Sequence, residues 1–196
     1  MSLNGCKLST PPRRVRWAVL LLVASFAGFA AADPAEREAA IVSRALTFER
    51  TLDARVGDRP IGIAVIHKAQ DVASERCANE WREGFTSLAN VKIQNRSVML
   101  KGIPYSVEAI ARARALGIDV FVVCPGLSQE VVEITRVSRA QQILTVGTLP
   151  SYVEQSMTFG VFHDQGKYHM VINLRAASAE GVTFSANMLK LARIVR

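Results

Sequence analysis

Apolar runs and polar interruptions alternate regularly along residues 33–196. Residues 61–66 (IGIAVI) and 118–124 (IDVFVVC) are almost unbroken apolar runs. They are too continuous for strands with one wet face, and they predict central, buried, parallel strands. Residues 91–100 and 143–146 predict two further strands. Between these runs the spacing changes to that of helices. Ile41, Ala45, Phe48 and Leu52 mark one face of a helix over 33–54, with Asp33 as N-cap and Pro34 in its first turn. Val72, Cys77, Trp81, Phe85 and Leu88 do the same for 71–89. Val107, Ile110, Ala111 and Ala115 mark a helix over 104–116 that Gly117 ends, and Val131, Val132, Ile134 and Val137 mark another.

Strand and helix in alternation predict right-handed βαβ units. The fold class is therefore α/β, an open, mostly parallel sheet flanked by helices. The chain then changes character. Residues 158–163 and 167–173 are strand-like and are separated by Asp164-Gln165-Gly166, which predicts an antiparallel hairpin with a three-residue loop, appended to the sheet. Asn173 is placed to cap a helical turn over 174–180 that Gly181 stops. Ser185 is placed to cap a terminal helix with Met188, Leu191, Ala192 and Val195 on one face.

Charge alters this picture mainly at the start of the chain. Of the net +7, four positive charges are Lys7, Arg13, Arg14 and Arg16, which precede an apolar run over 17–29 and the triplet Ala30-Ala31-Ala32. That is the pattern of a secretory signal peptide over residues 1–32, leaving 33–196 as a single domain. The apolar run is shorter than the roughly 20 residues of a spanning helix. Removing the leader takes four positive and no negative charges, so +7 becomes +3. The remaining Lys and Arg are interspersed with Asp and Glu, which gives no footprint for nucleic acid. Export to the periplasm also changes the cysteines. Cys6 leaves with the leader, and Cys77 and Cys124 remain as an even pair in an oxidising compartment, which favours a disulfide over a redox-active pair. In a doubly wound sheet the third strand neighbours the first, which brings Cys124 toward the helix that carries Cys77.

Candidate chemistry is sparse. The turn after the first strand, His67-Lys68-Ala69-Gln70-Asp71, has neither glycine-rich nucleotide fingerprint, and G-x-S-x-G, H-E-x-x-H and C-x-x-C do not occur. His163 and His169 flank the hairpin turn and can approach each other, but with Asp164 they fall short of the ligands of a closed zinc site. His67 ends a buried strand, where open α/β sheets place functional side chains. No cofactor, metal or catalytic residue is assigned.

The segments Ile143-Leu144-Thr145-Val146, Ile172-Asn173-Leu174, Ala176-Ala177, Gly181, Phe184-Ser185, Met188-Leu189 and Leu191-Ala192, in this order, resemble the YfiR-like family of periplasmic regulators. The resemblance implies a non-catalytic inhibitor. It would bind the sensor region of an inner-membrane signalling protein, a diguanylate cyclase or a histidine kinase, and in the first case lower cyclic-di-GMP output and biofilm. It also implies an outer-membrane lipoprotein that sequesters the inhibitor. A second copy of the chain is a further candidate partner. Two features depart from the family pattern: Gly147-Thr148 stands where Ser-Asp is frequent, and no second cysteine pair follows Cys124. The alternative reading is a periplasmic small-molecule-binding protein, since an open α/β sheet leaves a crevice at its strand ends.

Overall fold

A computed structural model describes residues 34–88 and 90–195. The leader over 1–32 and the Asp33 cap lie outside the described residues. The order of elements is α1 (Pro34–Thr47), α2 (Leu52–Val56), β1 (Ile61–His67), α3 (Val72–Ser87), β2 (Val98–Pro104), α4 (Val107–Ala111), a 3-10 turn (Arg114–Leu116) and β3 (Ile118–Val123). It continues with α5 (Val131–Gln141), β4 (Leu144–Gly147), α6 (Pro150–Gln155), β5 (Phe159–Asp164), β6 (Lys167–Asn173), α7 (Leu174–Ala179), α8 (Ala186–Leu191) and β7 (Arg193–Val195).

The strands form one sheet in the order β2-β1-β3-β4-β5-β6-β7. Every neighbouring pair is parallel except β5 with β6. Because β1 and β3 are buried along their length, both sheet faces carry apolar cores, and the period-2 alternation of the strands divides them. Ile63, Val65, Val120 and Val122 pack with Val42, Leu46, Trp81 and Phe85 of α1 and α3. Ala64, Ile66, Phe121 and Val123 pack with Ile110, Val131, Ile134 and Tyr152 on the other face.

The hairpin is an integral part of this sheet, since β5 pairs with β4 and Phe159 lies opposite Val146. Its turn has two residues, because Asp164 pairs with Lys167. Gln165 and Gly166 have φ of 47° and 77°, the left-handed pair that a tight hairpin turn needs. The caps form as the sequence predicts. Asn173 accepts from the Ala176 N–H at 3.0 Å and Ser185 from the Met188 N–H at 3.3 Å, and Gly181 has φ 69°.

Other expectations are corrected. The helix predicted over 33–54 is two helices, because the chain at Glu49 bridges to Phe184 and breaks the ladder. The strand predicted over 91–100 begins only at Val98. Before it, Gln94 and Asn95 take φ of 50° and 64° and form a tight turn between Ile93 and Arg96. Pro104 ends β2 instead of opening a helix, and α4 turns its Ile110 and the following Ala113 inward while Ala111 and Ala115 face solvent. Val72, Val107 and Val132, counted as core-facing, are 72%, 45% and 76% exposed in the first turns of their helices. The terminal helix stops at Leu191, itself exposed, and its last residues pair with β6 as β7.

Buried carboxylates tie this framework together. Asp119, 1% exposed within β3, accepts from the Gly62 N–H at 3.0 Å, from Arg59 Nη1 and Nη2 at 2.7 and 2.6 Å, and from Arg114 Nη1 at 2.8 Å. Asp119→Ala would strand these donors at the amino end of the sheet. The expected loss is about 2 kcal/mol, less than for a sealed pair because water reaches both guanidinium groups. Urea unfolding of the variant checks it.

Candidate functional site at the carboxyl ends of the strands

In a sheet of order 2-1-3-4, consecutive crossovers leave β1 on opposite faces, and the crevice lies where β1 and β3 end. The β1–α3 turn is built from local hydrogen bonds. Asp71 caps α3 by accepting from the Ser74 N–H at 3.0 Å, and Ser74 Oγ in turn accepts from the Lys68 N–H at 2.8 Å. Gln70, at φ 63°, donates its N–H to Glu75 Oε1 at 2.9 Å. The turn after β3 is held as firmly. The Cys124 N–H donates to Ile66 O at 2.9 Å, and Tyr152 Oη accepts from the Leu127 N–H at 3.1 Å.

This frame places Cys77 of α3 above Cys124 of β3's end, with their sulfurs 2.7 Å apart. That approaches the roughly 2.05 Å of a covalent bridge. Both are free thiols in this structure. The Cys77 sulfur beside it and then burial push the Cys124 thiol upward.

His67 lies next to this pair. Its carbonyl accepts from the Tyr105 N–H at 2.7 Å, and its ring Nδ1 is buried with no hydrogen-bond partner among the described residues. Beside it a cavity of about 360 Å³ opens between β1, β2 and α3, lined by His67, Glu75, Ala78, Asn79, Arg82 and Gly102. Sequence reasoning missed all of these except His67. Glu75, Asn79 and Arg82 fall at i, i+4 and i+7, a spacing that any solvated helix face also shows. A second concavity, an apolar groove of about 210 Å³, runs between α1, β6 and α8 and includes Ile41, Phe48, Met170 and Leu191.

The hairpin histidines do not meet. His163 is paired with Tyr168, their rings 4.8 Å apart, whereas His169 is opposite Phe162, so the two imidazoles point to opposite faces. Among the described residues no group of three or more His, Cys, Asp and Glu side chains is arranged to hold a metal ion. No helix among them is long and apolar enough to cross a membrane.

A family model described as YfiR/HmsC-like matches residues 79–193, more than half of the chain. The chain belongs to the YfiR/HmsC-like family. The segment that defines this YfiR/HmsC-like protein runs from within α3 to the start of β7. It contains Asn79, Arg82, Gly102 and Cys124, while His67, Glu75 and Cys77 precede it. Curated proteins give no match.

Among solved structures, the fold is similar to a conserved domain protein from Vibrio cholerae, with TM-score 0.61 and 13% identity over 83% of this chain and 60% of that one. It is similar to the ABC domain from Streptococcus pneumonia solved in complex with L-Trp, with TM-score 0.55 and 14% identity over 83% and 60%. It is also similar to the ligand-free, open structure of a substrate binding protein with adhesive properties from Clostridium difficile, with TM-score 0.50 and 15% identity over 74% and 57%. At these identities the likeness is one of fold. The chain spans 60% or less of the length of each of these proteins.

Proposed function

We propose that this protein is a non-catalytic periplasmic regulator that binds the sensor region of an inner-membrane signalling protein. The partner is a diguanylate cyclase, and binding lowers its cyclic-di-GMP output. Membership of the YfiR/HmsC-like family over residues 79–193 carries this reading. The leader-like segment over 1–32 supports the compartment. A histidine kinase with a periplasmic sensor is the other partner of this kind, and an outer-membrane lipoprotein is the matching sequestering partner.

Deleting the gene in a strain with an intact candidate cyclase is expected to raise cellular cyclic-di-GMP and attached growth, and the full-length chain supplied in trans is expected to restore both. Unchanged levels of both would sink the proposal. The alternative, a small-molecule-binding protein, draws on the fold likeness to a substrate binding protein and to a domain solved with L-Trp.

A further inference from the structure

An open sheet leaves backbone donors and acceptors bare along its two edge strands, and shortness, charge, proline, bulges or a covering loop usually blunt them. The two edges here are unlike. β7 has three residues, whereas β2 has seven and pairs with β1 without a bulge from Val98 to Pro104. Lys101 is its one charged residue, and Pro104 stands at its end.

Two hydrogen bonds bracket the β1–β2 ladder and fix which groups face outward. The Ile61 N–H donates to Ser97 O at 3.0 Å, and the Tyr105 N–H donates to His67 O at 2.7 Å. Alternate residues of a parallel strand bond to one neighbour, so Met99, Lys101 and Ile103 turn their backbone groups to β1. Val98, Leu100 and Gly102 turn theirs to the open side. There the sheet has no further strand, and no hydrogen bond reaches them among the described residues. Val98, Met99 and Leu100 are only half-buried, so bare backbone and apolar side chains share one border.

We infer that this border is a dimer interface, in which β2 pairs antiparallel with β2 of a second copy about a twofold axis at Leu100. A second copy suits the edge because the outward pattern is its own complement when reversed. Centred on Leu100, Val98 faces Gly102 of the second copy and Leu100 faces Leu100, so all three outward residues exchange hydrogen bonds. Centred on Lys101, two lysines would lie directly opposite each other. Centred on Met99, Gly102 would lie beyond the second copy's β2, which begins at Val98. In the Leu100 register the Lys101 stem instead lies across Met99 of the second copy. Leu100 is covered on the α3 face, where it already packs against the core. A Cβ on Gly102 would stand 3.2 Å from Arg82 Cδ, and its absence leaves Val98 of the second copy room to rest on the Arg82 stem.

The test is the mass of the exported, mature protein by light scattering and sedimentation over a concentration series. A dimer that dissociates on dilution is expected. Leu100→Lys sets two charges against each other at the axis. Val98→Pro removes an outward donor from the first residue of the strand and no bond to β1. Each is expected to give monomers, and circular dichroism shows whether each variant is folded. Leu100→Cys is expected to form a reductant-sensitive bridge between copies, since Cα atoms of a hydrogen-bonded antiparallel pair stand about 5.5 Å apart, within the span of a disulfide.

A mass of one chain at every concentration would overturn the inference. So would a dimer that persists in a folded Leu100→Lys or Val98→Pro variant, or one in which Leu100→Cys forms no bridge. Each outcome is separable from the regulatory reading, which is scored on cyclic-di-GMP in cells.

Discussion

Glu180→Ala is expected to destabilise the protein by about 3–5 kcal/mol, from four buried polar groups left without their acceptor and the cavity the side chain leaves. Glu180 lies at the end of α7 and is fully buried. Its carboxylate accepts from Ser138 Oγ at 2.8 Å, from Thr145 Oγ1 and N–H at 2.7 and 2.9 Å, and from Thr158 Oγ1 at 2.6 Å. One side chain thus joins α5, β4, the entry to β5 and the turn after α7. Alanine leaves four polar groups facing a void, and the urea midpoint reads the loss. Burial also pushes the Glu180 carboxyl above the ordinary carboxylate range, against the pull of the bonds from Thr158, Thr145 and Ser138.

Ser138 shows how a proton is accommodated there. Its single hydroxyl hydrogen has two acceptors, Thr135 O at 3.0 Å and Glu180 Oε1 at 2.8 Å. A protonated Oε1 can donate to Ser138 Oγ while the hydroxyl turns to Thr135. A carboxyl whose pKa is raised by folding contributes stability that is complete below its unfolded pKa, and that is lost as pH rises through the folded value. The stability margin of the wild type over Glu180→Gln is therefore expected to be greatest on the acid side and to shrink as pH is raised above the ordinary carboxylate range. A margin that grows with pH would show that the hydrogen bonds outweigh burial.

The parts of the fold legible in the sequence are those where burial leaves a continuous mark. Residues 61–66 and 118–124 had no polar alternation because both faces of β1 and β3 are covered, and Asn173, Gly181 and Ser185 announced their caps by residue type. What escaped was decided by single side chains. Ile93 plugs the core from a loop, so its apolar character resembled the start of a strand. Val72, Val107 and Val132 kept helical spacing with the core residues, yet they sit in first turns that have not reached the sheet. Glu49, Asp119 and Glu180 are ordinary charged letters until the fold surrounds them with donors. At the candidate site the approach of Cys77 to Cys124 followed from strand order alone. The cavity did not, because Gly102 and Arg82 meet only once β2 is placed against α3.

The cysteine pair carries the second large effect. We propose that in the oxidising compartment Cys77 and Cys124 are bridged, which closes a loop of 47 residues and on the chain-entropy model stabilises by roughly 4 kcal/mol. Reduction of the exported protein is then expected to lower Tm by about 8–16 °C for a domain of this size. Cys77 is the half-buried member and Cys124 the buried one, so reductant reaches the bridge from the α3 side. Cys77→Ala, which removes little packing, should reproduce the loss, and reductant should then have no further effect on that variant. Cys124→Ala should cost more, because it also empties a buried position against β1. The bridge fastens α3 over the carboxyl end of the sheet, so its loss should leave the amino-end network of Asp119 intact. Alkylation of the unreduced exported protein decides the matter. Label on both Cys77 and Cys124 would mean that the pair is held as thiols, and the expected fall in Tm on reduction would then vanish.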